Sequence, residues 1–259
     1  MTLIQALILG IIEGATEFLP ISSTAHLIWT SKLLGIQSTE FIKFFEVFIQ
    51  SGAIFAIVIL YLKYLLDHKS LILNLVLSFI PTALVGFFFY RYIKNVLFES
   101  SALIIIVFFI VGIIFLLFEY LIKKGLIKPK RTIAQMRYAE ALIIGLGQSL
   151  AIIPGVSRAG AVIVTMMGFE FKRDDAALYS FLLAVPTILA AGLFDFIKTD
   201  FSVINNVNNI IMVTLGFITS FITALIVVKW FIGYLQKNNL IGFGLYRIIM
   251  AVILVLLSL

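Results

Sequence analysis

The chain has 259 residues, of which 62% are hydrophobic and 12% are charged, and its mean hydropathy is +1.17. So few charged side chains exclude a soluble globular domain of this length. The net charge of +6 does not indicate nucleic-acid binding, because most basic residues lie between hydrophobic segments and form no patch interleaved with aromatics. Cysteine is absent, which excludes disulfides and thiol chemistry. We therefore predict an all-α integral membrane protein, since lipid cannot satisfy an open strand edge.

The first predicted element, residues 2–34, is apolar but is interrupted by the stretch EGATEFLPISSTAH. Its start lacks the basic region of a cleavable signal peptide, so we expect this segment to remain in the mature protein. Pro20 is expected to end one helix, and the Ser-Ser-Thr that follows is expected to cap a second helix that runs through His26 to Leu34. A re-entrant helical hairpin is the predicted form of this segment.

Several uncharged runs approach or reach the length of about 20 residues that a helix needs to cross a bilayer. A further apolar run surrounds Arg247 near the end of the chain. Together they give six predicted transmembrane helices. In chain order, the predicted spans are 47–62, 71–90, 102–118, 176–194, 210–228 and the C-terminal run.

A second broken apolar segment, residues 137–169, resembles the first. The string ALILGIIEGATEFLPISSTAHLI from Ala6 aligns with ALIIGLGQSLAIIPGVSRAGAVI from Ala141 at an offset of about 135 residues, and the spans pair at similar offsets. Because each half holds three crossings and one re-entrant hairpin, the second half is expected to be inverted relative to the first. The predicted bounds are 1–259 for a single membrane domain, about 1–125 for repeat one and about 135–259 for repeat two.

Charge predicts the orientation. The loop that joins the repeats, residues 123–137, carries six basic residues and no acidic one, so it is expected to be cytoplasmic. Propagating this assignment places 12 Lys and Arg in cytoplasmic loops and 5 in outer loops. The first hairpin then enters from outside and the second from the cytoplasm, so their tips are expected to meet at membrane depth. The other cytoplasmic loops are 63–70, 170–175 and 229–240, and the outer basic residues are Lys32, Lys43, Arg91, Lys94 and Lys198.

The two broken segments carry the ionisable residues that point to chemistry. Glu13 and Glu17 are four residues apart, on one face of a helix, and a buried acidic pair needs a cation, a basic side chain or a proton. Arg158, in PGVSRAG, needs an anionic partner, which is either a glutamate or a phosphate. His26 is either a structural histidine, a nucleophile or a general acid or base. This set indicates phosphoryl transfer, and its depth favours a phosphate carried on a lipid.

Other polar residues leave two interpretations open. The hydroxyls of Ser22, Ser23 and Thr24 are either helix caps or parts of an anion site at a helix N-terminus. Gln50, inside a span, either joins two helices by a hydrogen bond or contacts a ligand. The residues alone also leave a second class of function open, a lipid or solute transporter of inverted-repeat design without hydrolysis.

EGATEFLPISSTAH and PGVSRAG closely resemble the signature motifs of the undecaprenyl-diphosphate phosphatase family, the bacitracin-resistance proteins of bacterial inner membranes. The resemblance covers the whole chain, including FEVFIQSGAI, FLLAVP and a late YR. It implies an enzyme that hydrolyses undecaprenyl diphosphate to undecaprenyl phosphate and inorganic phosphate, which recycles the carrier lipid for cell-wall synthesis. It also implies a multi-pass inner-membrane protein whose active site faces the periplasm. The implied partners are a polyprenyl diphosphate lipid and membrane lipids, without nucleic acid, and a homodimer is left open.

The resemblance also assigns roles to residues. Glu13 and Glu17 carry the acidic motif and are expected to hold a divalent cation, Mg²⁺ or Ca²⁺, against the diphosphate. The predicted catalytic residues are Glu13, Glu17, Ser23, His26 and Arg158. The predicted substrate-binding residues are Ser22, Thr24, Gln50, Gly155, Ser157 and Arg158, with Pro154 in the same motif.

The chain departs from the family pattern just after its arginine. Ala159 and Val162 stand where the family usually has a serine and a threonine, and Thr165 is expected to substitute in part for the lost hydroxyls. The nucleophile is left open between His26, Ser23 with His26 as its base, and a water molecule that a glutamate activates.

Overall fold

A computed structural model describes residues 1–92, 100–198 and 206–257. Ten α-helices make up nearly all regular structure in these ranges, and the only extended pairing there is an isolated bridge between Arg131 and Phe171. The predicted all-α class is therefore confirmed. The helices are α1 (Leu3–Thr16), α2 (Ser23–Leu33), α3 (Glu40–Asp67), α4 (Ser70–Tyr92), α5 (Ser101–Lys123), α6 (Tyr138–Ser149), α7 (Arg158–Gly168), α8 (Arg173–Lys198), α9 (Val207–Lys237) and α10 (Ile241–Leu256).

Five helices within the described ranges, α3, α4, α5, α8 and α9, are long and apolar enough to cross a membrane. Each coincides with a predicted span, so five of the six spans are confirmed by length and composition. The sixth corresponds to α10, which has 16 residues. This is shorter than the roughly 20 residues that a full crossing requires. The chain is therefore an integral membrane protein with an all-helical fold.

Each broken segment forms two short helices joined by an irregular tip, as the sequence predicts. We define the first tip as residues 17–22, between α1 and α2, and the second tip as residues 150–157, between α6 and α7. The prediction that the first helix reaches Pro20 is wrong, because α1 ends at Thr16. The ring of a proline clashes with the carbonyl four residues before it, which here is that of Thr16.

In each broken segment, the residue just before the second helix is a serine with a positive φ angle. Ser22 precedes α2 with φ 66°, and Ser157 precedes α7 with φ 74°. Positive φ in a residue with a side chain costs about 1–3 kcal/mol and is concentrated at functional sites. The Ser157 hydroxyl caps α7 by accepting the Gly160 N–H at 3.2 Å, whereas the Ser22 hydroxyl makes no capping bond. The interpretation of Ser22 as a cap is therefore not supported, whereas Ser157, for which no cap was predicted, is one.

Each broken segment packs against a span from the other half of the chain. Helix α1 lies on α9 so closely that a Cβ atom on Gly10 would be 2.6 Å from the carbonyl oxygen of Gly216. Helix α6 lies equally close to α4. A Cβ atom on Gly145 would collide with the backbone of Ser78. The Ser78 hydroxyl also donates to the carbonyl of Ala141 at 2.7 Å. Glycines on the short helices therefore fix both contacts.

Three of the loops predicted to be cytoplasmic gather at one end of the bundle. The N–H groups of Lys130 and Arg131 both donate to the Glu170 carbonyl at 2.9 Å, which joins the α5–α6 loop to the α7–α8 connection. The Glu119 carboxylate pairs with Arg173 and accepts the N–H of residue 240 at 2.9 Å, which brings the α9–α10 connection to the same end. At the other end, the predicted outer residue Lys32 bonds to the first residue of α5. Of the predicted outer residues, Lys94 and the side chains of Arg91 and Lys198 lie outside the described part.

Candidate active site

A buried arginine joins the two tips. Arg247, on α10, is fully buried, and its guanidinium donates to the carbonyl oxygens of Pro20 at 3.1 Å, Phe108 at 3.1 Å and Gly155. Its charge also lies 4.2 Å from the centroid of the Phe108 ring. Backbone dipoles and an aromatic face, rather than a carboxylate, therefore compensate this cation. The predicted meeting of the two tips is confirmed.

Glu17, Ser23 and Arg158 form a connected polar chain where the tips meet. The Ser23 hydroxyl donates to Glu17 Oε2 at 2.5 Å, and Arg158 Nη2 donates to Glu17 Oε1 at 3.2 Å. All three residues are largely or fully buried, and the ion pair joins the first half of the chain to the second. A hydroxyl held on a carboxylate that a cation orients is the arrangement of an activated nucleophile.

Glu13 lies beside this chain and has no hydrogen-bond partner among the described residues. Both of its oxygens are buried, and the charges of Glu17, Glu46 and Arg158 reach it. The backbone N–H of Glu17 donates to the Glu13 carbonyl at 2.9 Å, so the two acids are stacked as their spacing predicts. A buried carboxylate without a partner is costly, so Glu13 requires a proton or a cation.

His26 is fixed at both ring nitrogens. Nδ1 lies 2.8 Å from the Ser22 carbonyl, and Nε2 lies 2.6 Å from the Tyr246 hydroxyl. Because a carbonyl can only accept, Nδ1 carries a proton, and when the ring is neutral Nε2 accepts a hydrogen bond from the Tyr246 hydroxyl. His26 is therefore not the hydrogen-bonding partner of Ser23. The Ser23 hydroxyl instead donates to Glu17, so a Ser23–His26 pair, one of the alternatives left open from sequence, is not formed.

The glycine and serine of the second motif shape the second tip. Gly155 has φ 97°, and a Cβ atom there would lie 2.8 Å from the Ile104 carbonyl oxygen, so only glycine fits. Its own carbonyl accepts from Arg247. The Ser157 hydroxyl lies 3.4 Å from the Leu19 carbonyl, which adds a second bond between the tips. Both residues are placed beside the site and are held in structural contacts.

The remaining predicted binding residues are less constrained. The Ser22 side chain is buried, and that of Thr24 is half-buried one position beyond Ser23. Gln50 is half-buried on α3 and forms no side-chain hydrogen bond with the described residues, so the interpretation as a bond between helices is not supported.

Thr165 does not replace the two missing hydroxyls. Its Oγ1 donates to the Ala161 carbonyl at 2.8 Å, within α7, and its side chain packs where α6 passes at Gly147. Ala159 and Val162 are fully buried in the apolar core. The prediction of a partial substitution is wrong, because one helical turn moves Thr165 away from the tip and into the α6–α7 contact.

Comparisons with known proteins identify the family of the chain. A family model described as "Bacitracin resistance protein BacA" matches residues 6–253. The chain belongs to the BacA family. It is 43% identical to a protein of Aquifex aeolicus over 98% of this chain and 97% of the relative, and 43% identical to one of Persephonella marina over 99% of both. A Campylobacter hominis relative is 41% identical over 97% of both chains. All three relatives are named undecaprenyl-diphosphatase, so the family predicted from the motifs is confirmed.

The donor set of this BacA-family chain fits a cation held jointly by protein and substrate. No cluster of three or more His, Asp or Glu side chains suited to a metal is present among the described residues. Glu13 offers two unpartnered oxygens, while those of Glu17 bond to Ser23 and Arg158. Mg²⁺ is usually bound through one or two carboxylates together with substrate phosphates, so this pair suits Mg²⁺ better than Ca²⁺, which takes six to eight oxygens.

Sequence reasoning missed three contributors to the site of this BacA-family chain. Glu46 lies one residue before the predicted span at Val47, but α3 begins at Glu40, so its half-buried carboxylate lies within the helix, where it accepts from Ser31 at 3.2 Å. Tyr246 and Arg247 belong to the late YR. Arg247 carried a usable signal, since a charge inside an apolar run predicts a role. Nothing local predicts which groups it binds.

Proposed function

We propose that the chain is an undecaprenyl-diphosphate phosphatase, which hydrolyses undecaprenyl diphosphate to undecaprenyl phosphate and inorganic phosphate and so recycles the carrier lipid of cell-wall synthesis. The observation that carries this proposal is the Ser23–Glu17–Arg158 chain, which joins a hydroxyl, its base and an anion-binding cation. Glu13, in the same buried site, supplies free carboxylate oxygens. The curated relatives carry the name of a phosphatase rather than of a transporter.

Ser23 is the nucleophile that the geometry favours. Its Oγ attacks the terminal phosphorus, the bond between that phosphorus and the bridging oxygen breaks, and Glu17 takes the hydroxyl proton. Undecaprenyl phosphate leaves with the bridging oxygen. Water then attacks the serine phosphate, the Oγ–phosphorus bond breaks and Oγ regains a proton, which releases inorganic phosphate. Sequence left His26 and water as alternatives, but the bond from Tyr246 occupies His26 Nε2.

The other residues bind and orient the substrate. Arg158 places a planar cation beside Glu17, where it neutralises phosphate charge as that charge shifts toward the leaving group. Helices α2 and α7 both begin at the meeting tips, and the unpaired N–H groups of a helix start favour anions. His26 is held at both ring nitrogens, by the Ser22 carbonyl and the Tyr246 hydroxyl, so it fixes the start of α2 beside Ser23.

A divalent cation completes the proposed site. Glu13 would hold it, with Glu17, and the ion would supply positive charge to the diphosphate oxygens. The orphaned oxygens of Glu13 support this role. We expect Mg²⁺ to serve better than Ca²⁺ because the protein offers few ligands.

The proposed membrane arrangement is six crossings and two re-entrant hairpins in inverted repeats. It is supported by the five long apolar helices, by α10 and by the two pairs of short helices whose tips meet. The grouping of three basic loops at one end agrees with a cytoplasmic face there, since positive loops remain inside. The site would then open toward the periplasm from the inner membrane. A homodimer stays a prediction.

The test is phosphate release from undecaprenyl diphosphate by the purified protein in detergent, with and without a chelator. We expect metal-dependent release that Glu17→Gln and Arg158→Ala each abolish, by a factor of at least about a thousand, because each removes a charge that acts on the reacting phosphate. Lys43→Ala is the control, since its ion pair with Glu40 is exposed and such pairs contribute little. Chelator-resistant release, or full activity in both variants, would contradict the proposal.

A second measurement distinguishes the nucleophiles. Rapid quenching with substrate phosphorylated at its terminal position with ³²P should trap label on the protein, and peptide mapping should place it on Ser23. Label on His26 would exclude the serine mechanism. Failure to trap label from an active enzyme over a full time course would favour attack by water.

A further inference from the structure

Five hydroxyls within the described helices donate to the carbonyl four residues earlier. This local bond satisfies a buried hydroxyl without any other partner. The described residues that form it, with oxygen distances of 2.7–2.9 Å, are Thr16, Ser149, Thr165, Thr187 and Thr219. Ser180, in the middle of α8, breaks this pattern: it is fully buried, and its Oγ has no hydrogen-bond partner among the described residues.

Ser180 is already in contact with the candidate site. Its carbonyl oxygen accepts from Arg158 Nη1 at 2.8 Å, while Nη2 of the same guanidinium binds Glu17. The third donor position of Arg158, Nε, is buried and has no partner. The residue that positions one side of the guanidinium therefore also carries an unused hydroxyl, and the guanidinium carries an unused N–H donor.

Two unpaired donors, Ser180 Oγ and Arg158 Nε, on residues that contact each other indicate a binding site. An unsatisfied buried hydroxyl or N–H reduces stability, and most buried polar atoms in proteins are paired. Here Ser180 Oγ and Arg158 Nε lie on two residues that touch each other, and the second of these residues also binds Glu17 of the candidate site. Such a group of donors suits an anion with several oxygens, and a diphosphate has enough oxygens to accept from both at once.

We infer that Ser180 is a further diphosphate-binding residue, whose hydroxyl donates to a phosphate oxygen that Arg158 also binds. This inference rests on the proposed phosphatase function and adds a hydroxyl from α8 to a site otherwise built from the two tips. Ser180 does not take part in bond breaking. It fixes the orientation of the phosphate that Arg158 holds.

Ser220 provides a matched control. It is also fully buried on a long helix, and its Oγ also lacks a partner among the described residues. It lies where α9 packs against Gly14 and makes no bond to Arg158. Ser220→Ala and Ser180→Ala therefore remove the same chemical group from the same kind of environment, and only one of them contacts the arginine.

The test measures binding of inorganic pyrophosphate and turnover of undecaprenyl diphosphate on the full-length variants in detergent. For Ser180→Ala we expect the pyrophosphate inhibition constant and KM to rise about tenfold, since one hydrogen bond to an anion is lost. Tm in the absence of pyrophosphate should stay level or rise, because an unsatisfied hydroxyl disappears. Ser220→Ala should leave the inhibition constant and KM within about twofold of wild type.

The inference is overturned if Ser180→Ala lowers Tm and leaves pyrophosphate binding unchanged, or if Ser220→Ala raises the inhibition constant equally. The increase in Tm on adding pyrophosphate gives the same comparison without turnover. If the wild type releases no phosphate but pyrophosphate stabilises it in a manner that depends on Ser180, the proposed phosphatase function fails and the binding residue stands.

Discussion

The two broken segments share one backbone design but differ sharply in chemistry. In the alignment of the two segments, Gln148 of α6 stands where α1 has Glu13. Gln148 Nε2 donates to Thr82 Oγ1 at 2.9 Å and to Thr187 Oγ1 at 3.1 Å, whereas both Glu13 oxygens lack partners. The second segment thus holds the Gln148 amide through its Nε2, although Oε1 has no partner among the described residues, whereas the first segment leaves both acid oxygens unpaired.

The same contrast extends beyond the tips. Ser23 and Arg158 are the first residues of α2 and α7, each preceded by a serine with positive φ. His26 has Ala161 as its counterpart. Two matching turns therefore present the proposed nucleophile from one half and the proposed anion-binding cation from the other. A single site built across the duplication requires the two halves to differ at matching positions.

The largest expected effect comes from giving the first segment the amide of the second. Glu13→Gln removes the free carboxylate, so we expect phosphate release to fall at least about a hundredfold, through loss of charge at the proposed cation site. The free energy of unfolding should rise or stay level, since a buried unpaired acid is lost. Turnover and thermal unfolding of the same preparation measure both. Unchanged turnover would remove Glu13 from the site.

The second effect tests the arginine that joins the tips. Arg247→Lys keeps the charge but cannot reach all three carbonyls, so two charge-assisted hydrogen bonds are lost. We expect the free energy of unfolding to fall by about 3 kcal/mol, and turnover to fall as the tips separate. Denaturant titration in detergent measures the loss. Arg137→Lys, at an exposed position, is the control and should change neither quantity.

A smaller effect is expected at the histidine. Tyr246→Phe leaves His26 Nε2 without its donor, so we expect turnover to fall about fivefold, which corresponds to one neutral hydrogen bond. Adding Tyr246→Phe to His26→Ala should cause no further loss, because the two side chains act as one unit. Additive losses would mean that Tyr246 acts on its own.

The smallest effect on activity is expected from the reverse exchange, Gln148→Glu. The Thr82 and Thr187 hydroxyls already donate to the carbonyls of Gly145 and Leu183, so they offer only lone pairs to residue 148. A carboxylate there would face two acceptors, and Tm should drop by several degrees. Turnover per folded molecule should stay within about twofold. A loss of turnover without a loss of Tm would place the second network in the catalytic site.

Sequence predicted the helices and the breaks because both depend on local features. Apolar run length identified the five long helices, and proline, glycine and serine marked both tips. The sequence alone did not predict which side chains contact each other when they lie far apart in the chain. Ser23 with His26 as its base was one of three alternatives left open, but in three dimensions Glu17 is the partner of Ser23, and Tyr246, more than 200 residues away, binds His26.

The predicted role of the Thr165 hydroxyl was wrong for a related reason. Thr165 was expected to replace a lost site hydroxyl on the basis of proximity in sequence, yet helical geometry turns it toward α6. Ser180 attracted no prediction, since a serine within an apolar span usually bonds to its own helix. Two structural facts together distinguish Ser180: its hydroxyl has no partner among the described residues, and its carbonyl binds Arg158.

The packing of α1 on α9 has a consequence for biosynthesis. The first helix to enter the membrane buries its glycine face on a helix that begins at Val207, so about 200 residues must be synthesised before the two can meet. During that interval α1 lacks its main packing surface, and until residue 158 has been made Glu17 is without its ion-pair partner. Folding is therefore expected to finish only after most of the chain has been inserted, and a chain truncated after the first half should be recognised and degraded by membrane quality control.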